Sequence, residues 1–209
     1  MESEKTNKQE NRIRISAASL ARIMIDGKLL VGLNKSRLKA GKRVYTMFGG
    51  GLEFNEKVRP YLQSLDAVFE KGNDIRLDIP EAKVGELESW FYKRQDRELD
   101  VYRELKEEFV EEEHVLSELE ETAVQRQYLF TVRQRAVSDR PGQSDKITQR
   151  YLEVHKVELD QRYVDSIKAY LKTEDCKLAL VSQDEVLNKK TASGVDIAVD
   201  PAVFDGMAK

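Results

Sequence analysis

The sequence predicts an α/β fold with a mixed β-sheet and helices on both of its faces. Three observations predict it. Apolar strand-like and helical segments alternate along the chain, and an Asp26-Gly27 turn joins two strand-like runs. The residues around Leu105 have the pattern of a charged amphipathic helix. Such alternation favours packed layers of helix and sheet. The 209 residues, 40% of them hydrophobic, are enough for one domain with a buried core.

The composition limits the classes of function. A formal net charge of −3 provides no global basic field, so no nucleic-acid partner is expected. The single cysteine, Cys176, excludes a disulfide within the chain and a cysteine-rich zinc site. The polar residues 1–11 predict a disordered tail rather than a signal peptide, and no apolar run has membrane-spanning length. A cytoplasmic location is therefore expected.

The first quarter of the chain predicts three strands that lead to a glycine-rich loop. Glycine accepts a positive φ without steric cost, so Asp26-Gly27 is a strong hairpin signal between the first two strands. In chain order the predicted elements are strands at 13–25 and 28–34, a basic loop at 36–42, and a strand at 43–48. The last strand runs directly into Gly49-Gly50-Gly51.

The remainder of the chain predicts further helices and strands. Val58, Leu62 and Leu65 recur at helical spacing, so residues of about 57–95 are predicted to be a helical insertion. Trp90 and Phe91 are expected to bury its helices against the rest of the domain or against a second copy in a homodimer. The other predicted elements are one long helix or two consecutive helices at 86–116, strands at 125–137 and 148–159 around a turn at 138–144, a helix at 164–171, a strand at 177–181, and a helix capped by Ser182 and Glu185.

Three glutamates share one stripe of the predicted helix. At 3.6 residues per turn, Glu104, Glu107 and Glu108 lie on one side, next to an apolar stripe that contains Leu105 and Phe109. Like charges at this spacing cost about 0.2–0.5 kcal/mol per pair. A hard divalent cation would offset this repulsion, because magnesium favours carboxylate oxygens. Taken alone, the glutamates are better explained as a solvated acidic face.

The glycines Gly49, Gly50 and Gly51 change that balance. They let the backbone approach a ligand closely or direct its amides towards one. Alone they indicate only a tight turn, but with Arg-Glu-Leu-x-Glu-Glu further along the chain they form a more specific pattern. Lys35 and Arg43 flank the glycines and are candidates for contacts with phosphate oxygens, although a solvated basic loop explains them equally well.

Together the two segments resemble the Nudix box, G-x5-E-x7-R-E-U-x-E-E-x-G-U, in which U is a bulky aliphatic residue. Residues 50–56 match its first half, and residues 103–108 match R-E-U-x-E-E in full. In this chain 46 residues separate Glu56 from Arg103, where the family has seven. Val110 occupies the position of the glycine that follows the paired glutamates.

The resemblance implies a metal site. Glu104, Glu107 and Glu108 would bind Mg²⁺, with Mn²⁺ as a substitute, and Glu56 would be a supporting ligand or a structural partner. Glu104 would also orient or deprotonate the attacking water, while Arg103 would hold a carboxylate in position.

The resemblance also implies the fold and the reaction. The fold would be a Nudix-like α/β/α sandwich, with a single domain over residues 12–209. The reaction would be hydrolysis of a diphosphate linkage in a nucleoside diphosphate derivative: a nucleotide sugar, an ADP-ribose-like molecule or a dinucleotide. The residues expected to contact this small nucleotide-like substrate are Gly49, Gly50, Gly51, Arg43 and Lys35.

Two other functions stay open at this point. A catalytically weak, nucleotide-sensing module is favoured by Val110 and by the long insertion, whereas the intact Arg103-Glu104 and Glu107-Glu108 pairs favour an enzyme. A helical interaction protein with a merely solvated acidic face is the weakest of the three, because it leaves the three consecutive glycines unexplained.

Overall fold

The computed structural model describes residues 11–138 and 146–205. The chain forms two compact units, each assembled from three segments. Of the described residues, the first unit contains 11–18, Gly51–Leu99, 133–138 and 146–151; the second contains Ser19–Gly50, Asp100–Val132 and 152–205. Residues 1–10 of the predicted tail and residues 139–144 of the predicted turn lie outside the described residues.

The described residues contain strands, α-helices and several short helical turns. The strands are β1 (Arg12–Ile25), β2 (Lys28–Leu33), β3 (Val44–Thr46), β4 (Phe48–Gly51), β5 (Val68–Phe69), β6 (Arg76–Pro80), β7 (Val124–Val137), β8 (Ile147–Leu159), β9 (Leu178–Val181) and β10 (Asp196–Ile197). The α-helices are α1 (Lys35–Lys39), α2 (Arg59–Ser64), α3 (Val84–Phe91), α4 (Tyr102–Lys106), α5 (Gln161–Tyr170) and α6 (Gln183–Leu187). Short 3₁₀ turns are Glu56–Val58, Glu81–Lys83, Glu121–Ala123 and Pro201–Phe204, and a π-helical turn, Glu107–Glu112, continues α4 directly.

The first unit is built on an antiparallel sheet in the order β5-β6-β1. Ile13 of β1 pairs with Ile79 of β6, and β6 pairs in turn with β5. Alternate residues of these strands face a core that also contains Leu62 of α2 and Trp90 and Phe91 of α3. The predicted insertion therefore contains helices, as expected, and also a β-hairpin that was not anticipated. The hairpin strands are too short for their alternation to be distinguished from loop sequence.

The second unit has a mixed sheet with helices on both faces. Strand β2 pairs antiparallel with β1, β3 and β9, whereas β10 pairs parallel with β3. Side chains of β2 alternate: Leu30 joins one core, and Leu29 and Val31 join another. Helices α4 and α5 pack on the first core and α6 packs on the second. This arrangement confirms the predicted α/β class and its two helical layers.

Several predicted elements are present at the predicted places. The β1–β2 turn has positive φ at Asp26 (50°) and Gly27 (76°), as a tight hairpin requires. Ser182 and Glu185 form the predicted capping box at the start of α6. The other confirmed elements are β1, β2, β7, β8, β9 and α5. Within the described part of the chain, no helix is both long and apolar enough to cross a membrane.

Of the two alternatives predicted at 86–116, one long helix is wrong and two helices are present. The two helices do not follow each other directly, because the chain leaves helical geometry after α3. Arg94 (φ 53°) and Asp96 (φ 59°) adopt left-handed backbone conformations, which interrupt a right-handed helix. The helix resumes only at Tyr102. The predicted basic loop at 36–42 is also wrong in part: residues 35–39 form α1, whose N-terminus is capped by the Asn34 side chain accepting from the Arg37 N–H.

The acidic helix is anchored by the apolar stripe that the sequence predicted. Leu105 and Phe109 are fully buried, and the Phe109 ring lies 4.6 Å, centroid to centroid, from that of Phe48 in β4. The Tyr102 hydroxyl donates to the Leu119 carbonyl at 2.7 Å. The packing fixes the rotation of the helix about its axis, so the direction of its glutamates is fixed as well.

Replacing Phe109 by alanine should therefore destabilise the protein by about 3–5 kcal/mol, since a large buried ring is removed. Urea denaturation measures the change in the free energy of unfolding. Lys106→Ala, at an exposed position of the same helix, is the matched control and should change it by less than about 0.5 kcal/mol. Equal effects of the two substitutions would contradict this packing.

Candidate active site

The two halves of the split motif meet within the second unit. The Gly49 N–H donates to Glu108 Oε2 at 2.9 Å. A Cβ placed on Gly50 would lie 2.0 Å from Glu104 Oε2, so the backbone of Gly50 is packed directly against that carboxylate. The long insertion between the halves therefore leaves their contact in place.

The glycines are required by close packing, and they belong to strand β4 rather than to the predicted loop. Gly49 has φ 135°, and a Cβ there would lie 2.0 Å from the Ser19 carbonyl oxygen of β1. Gly51 belongs to the first unit, where a Cβ would lie 2.7 Å from Nη2 of Arg76. Gly49 and Gly50 thus adjoin the carboxylates, whereas Gly51 packs against a guanidinium.

Arg103 connects two of the predicted metal ligands. Its Nη2 lies 2.8 Å from Glu104 Oε1, and its Nη1 lies 3.1 Å from Glu107 Oε1. The Glu104 side chain is 13% exposed and the Glu107 side chain is 43% exposed. The guanidinium thus holds both carboxylates next to each other, which is the geometry that the expected role of Arg103 requires.

Glu108 is the most perturbed carboxyl group of this cluster. Its pKa is raised to about 8, chiefly by burial and also by the nearby Glu104 and Glu112 carboxylates. The Gly49 N–H and the Lys35 ammonium act in the opposite direction, because both stabilise the charged form. The group is therefore largely protonated at neutral pH when no cation is bound, and a bound divalent cation would displace that proton.

The residues of this cluster fit a magnesium or manganese ion. Their donors are carboxylate oxygens, which these hard cations prefer. No group of three or more His, Cys, Asp or Glu side chains is arranged to hold a metal within residues 11–138 and 146–205. Magnesium is often held by only one or two carboxylates, with water and substrate phosphates as its other ligands. Glu104 and Glu108 can supply two of these ligands, and Glu107 can supply a third. Arg103 contacts Oε1 in both Glu104 and Glu107.

Glu56, predicted as a supporting ligand or structural partner, lies in the first unit and is bound by Arg59. Arg59 Nε and Nη2 lie 2.5 and 3.2 Å from its two carboxylate oxygens. The hydrogen bond from Arg59 is the main cause that lowers the pKa of this exposed carboxyl. Both oxygens are already engaged, which supports the structural alternative; a ligand role for Glu56 stays a prediction.

The surroundings of Lys35 and Arg43, the two side chains predicted to contact phosphate, differ. Lys35 forms ion pairs with Glu112 and, at 3.3 Å, with Glu113. Arg43 is exposed, immediately before β3. Lys35 would therefore have to exchange carboxylate partners for a phosphate oxygen, whereas Arg43 is exposed to solvent.

A π-helical turn at the end of the acidic helix was missed by the sequence analysis. The Glu113 N–H bonds to the Glu108 carbonyl at 3.0 Å, five residues back, and the Glu113 carboxylate also lies 2.9 Å from Lys177 Nζ. Val110, in place of the family's glycine, was the available signal that the helix would not stop there. The pairing with Lys177 depends on the fold, and no sequence signal could have found it.

Gly50→Ala should weaken Mg²⁺ binding at least tenfold with little effect on stability. The added Cβ occupies the place of the Glu104 carboxylate, which is the flexible end of a side chain and can move away. The free energy of unfolding should change by less than about 1 kcal/mol. Calorimetric titration with Mg²⁺ and urea denaturation measure the two quantities.

Gly49→Ala is the contrasting control. Its Cβ meets backbone at a positive φ, so a loss of stability of at least about 3 kcal/mol is expected. Unchanged Mg²⁺ affinity in Gly50→Ala would exclude Glu104 as a ligand.

The raised pKa of Glu108 predicts a pH-dependent stability of the metal-free protein. Between the ordinary value of 4.5 and about 8, the folded state holds one proton more than the unfolded state. Raising the pH through this window should lower the free energy of unfolding, by at most about 1.4 kcal/mol per pH unit. Urea denaturation in EDTA across the window measures the slope, and Glu108→Gln should remove this contribution. An identical slope in the variant would refute the assignment.

Comparisons with known proteins place the chain in a family. The sequence model described as the SMODS-associated NUDIX domain matches residues 12–201. The comparisons with curated proteins and with solved structures gave no match. The matched residues extend from the start of β1 to Pro201, and they include both halves of the split motif. The chain therefore belongs to the family of SMODS-associated NUDIX domains.

Proposed function

We propose that this chain is a magnesium-dependent hydrolase that cleaves a diphosphate linkage in a nucleoside diphosphate derivative. The substrate class comprises nucleotide sugars, ADP-ribose-like molecules and dinucleotides. Membership of a NUDIX family supports the broader statement, a Nudix-type hydrolase or a nucleotide-binding role. The observation that carries the proposal is the hydrogen bond from Gly49 to Glu108, which joins the glycines to the acidic helix.

The carboxylates would hold the cation and prepare the attacking water. Glu104 and Glu108 would bind Mg²⁺, with Glu107 completing the set. When bound, the ion would neutralise charge on the diphosphate and lower the pKa of a water molecule. Glu104 would orient that water or accept its proton, and Arg103 would hold the Glu104 carboxylate in position through their 2.8 Å contact.

Arg43 and Lys35 would bind the phosphates. Arg43 is exposed and can contact an anion without losing a buried partner. Lys35 is paired with Glu112 and Glu113, and a phosphate would have to replace them. Such exchange is feasible because Lys35 is 38% exposed, and exposed ion pairs contribute at most about 1 kcal/mol.

A nucleotide-sensing module with weak catalysis is the second candidate. Its supporting observation is that Glu108 has a pKa of about 8 without metal, so binding the cation must first displace a proton at neutral pH. The contacts of Arg103 with Glu104 and Glu107 also favour the sensing module. Both candidates bind a nucleotide and differ in turnover.

The decisive experiment measures release of nucleoside monophosphate. The protein is incubated with nucleotide sugars, ADP-ribose and dinucleotides, in Mg²⁺ or in EDTA, and products are separated by chromatography. Activity should require Mg²⁺ and fall at least about 100-fold in Glu107→Gln. Glu111→Gln changes an exposed carboxylate of the same π-helical turn and should leave activity within about twofold of the unmodified protein.

Two other outcomes are informative. If every substrate is inert while calorimetry detects nucleotide binding, the sensing function replaces the hydrolase. If neither Mg²⁺ nor any nucleotide binds, both proposals fail.

A further inference from the structure

Arg22 of β1 is a buried cation whose partners are backbone carbonyls. Arg22 is only 6% exposed. Its Nη1 donates to the carbonyls of Val203 at 2.9 Å and Asp205 at 3.2 Å. Within residues 11–138 and 146–205, no carboxylate forms an ion pair with Arg22. Buried arginines are seldom left without a compensating charge, because removal of the ion from water is costly. Burial also lowers the pKa of this guanidinium.

Arg22 lines an open cleft of about 600 Å³ in the second unit. The volume lies within the usual range for small-molecule sites. Most of the lining is apolar and comes from Ile23, Met24, Leu129, Val157, Leu159 and Val164. The polar remainder is Gln127 together with Lys156 and Glu158, which form an ion pair at 2.5 Å. The Glu158 carboxylate is therefore neutralised by Lys156, and the charge of Arg22 is left uncompensated.

The donor geometry of Arg22 indicates what could compensate its charge. Nη1 is occupied by two carbonyls, whereas Nε and Nη2 have no acceptor in the described part of the chain. These two atoms form one edge of the planar guanidinium, and that edge matches the two oxygens of a carboxylate or phosphate. Arg22 therefore lines a mostly apolar cleft and keeps one anion-binding edge without an acceptor in the described part of the chain.

We propose that this cleft binds a small organic anion, with a carboxylate or phosphate head on Arg22 and an apolar or aromatic body against Met24 and Leu129. None of the lining residues is a glycine or glutamate of the candidate active site. The inference is therefore independent of the proposed hydrolysis, and either can fail without the other.

Calorimetric titrations in EDTA at low ionic strength test the site with four probes. Phenyl phosphate and benzoate carry both an anionic head and an aromatic body; inorganic phosphate lacks the body and benzyl alcohol lacks the charge. At least one of the first two should bind at one equivalent with a dissociation constant of about 1 mM or tighter. Inorganic phosphate and benzyl alcohol should bind at least tenfold more weakly. Comparison of phenyl phosphate with benzoate identifies the preferred head group.

Two substitutions locate the binding. Arg22→Met should weaken it at least tenfold, but the loss of the carbonyl contacts could also destabilise the protein. Gln127→Trp therefore supplies a second test, because it fills the cleft from an exposed position and leaves Arg22 unchanged; it should weaken binding by a similar factor. The control Lys156→Met should change the affinity by no more than about threefold.

Three results would overturn the inference. The first is failure of both organic anions to bind the unmodified protein. The second is unchanged affinity in both Arg22→Met and Gln127→Trp. The third is loss of binding in Glu104→Gln, which would place the anion at the acidic helix instead.

Discussion

The hydrogen bond from the Gly49 amide to the Glu108 carboxyl is the contact on which the arrangement of this site depends. It joins strand β4 to the acidic helix at 2.9 Å. Each side of the contact is held independently: Gly49 packs against the Ser19 carbonyl with no room for a side chain, and the helix is fixed by the burial of Phe109. A buried carboxyl group needs such a partner, because burial without a hydrogen bond is costly. The same burial raises the pKa of Glu108 to about 8, so this carboxyl group is largely protonated at neutral pH.

The insertion is compatible with this contact because it has its own core. Leu62, Trp90 and Phe91 are buried with one another in the first unit, and the Tyr151 hydroxyl donates to Glu88 at 2.7 Å in the same unit. Apolar burial inside an inserted segment offsets the entropy of ordering it. Loop length itself adds little further cost, since the closure entropy grows only with the logarithm of length. A motif split by 46 residues can therefore still assemble.

Local patterns predicted the elements whose geometry is decided locally. The Asp26-Gly27 turn, the apolar stripe through Leu105 and Phe109, and the Ser182 cap follow from spacing and residue type. The interruption of the predicted long helix at Arg94 and the π-helical turn depend on packing between distant segments, which periodicity does not report. For the candidate site, the sequence predicted Glu104, Glu107 and Glu108 as ligands, but it could not show that Arg103 contacts two of them. The pairing of Glu56 with Arg59, three residues on, was readable from sequence and was overlooked.

Anomalous diffraction from crystals soaked in Mn²⁺ tests the central claim, that Glu104 and Glu108 form one cation site next to the glycines. An anomalous peak is expected within about 2.0–2.5 Å of carboxylate oxygens from both residues. A map with no peak there, in which Glu108 still accepts the hydrogen bond from Gly49, would contradict this site.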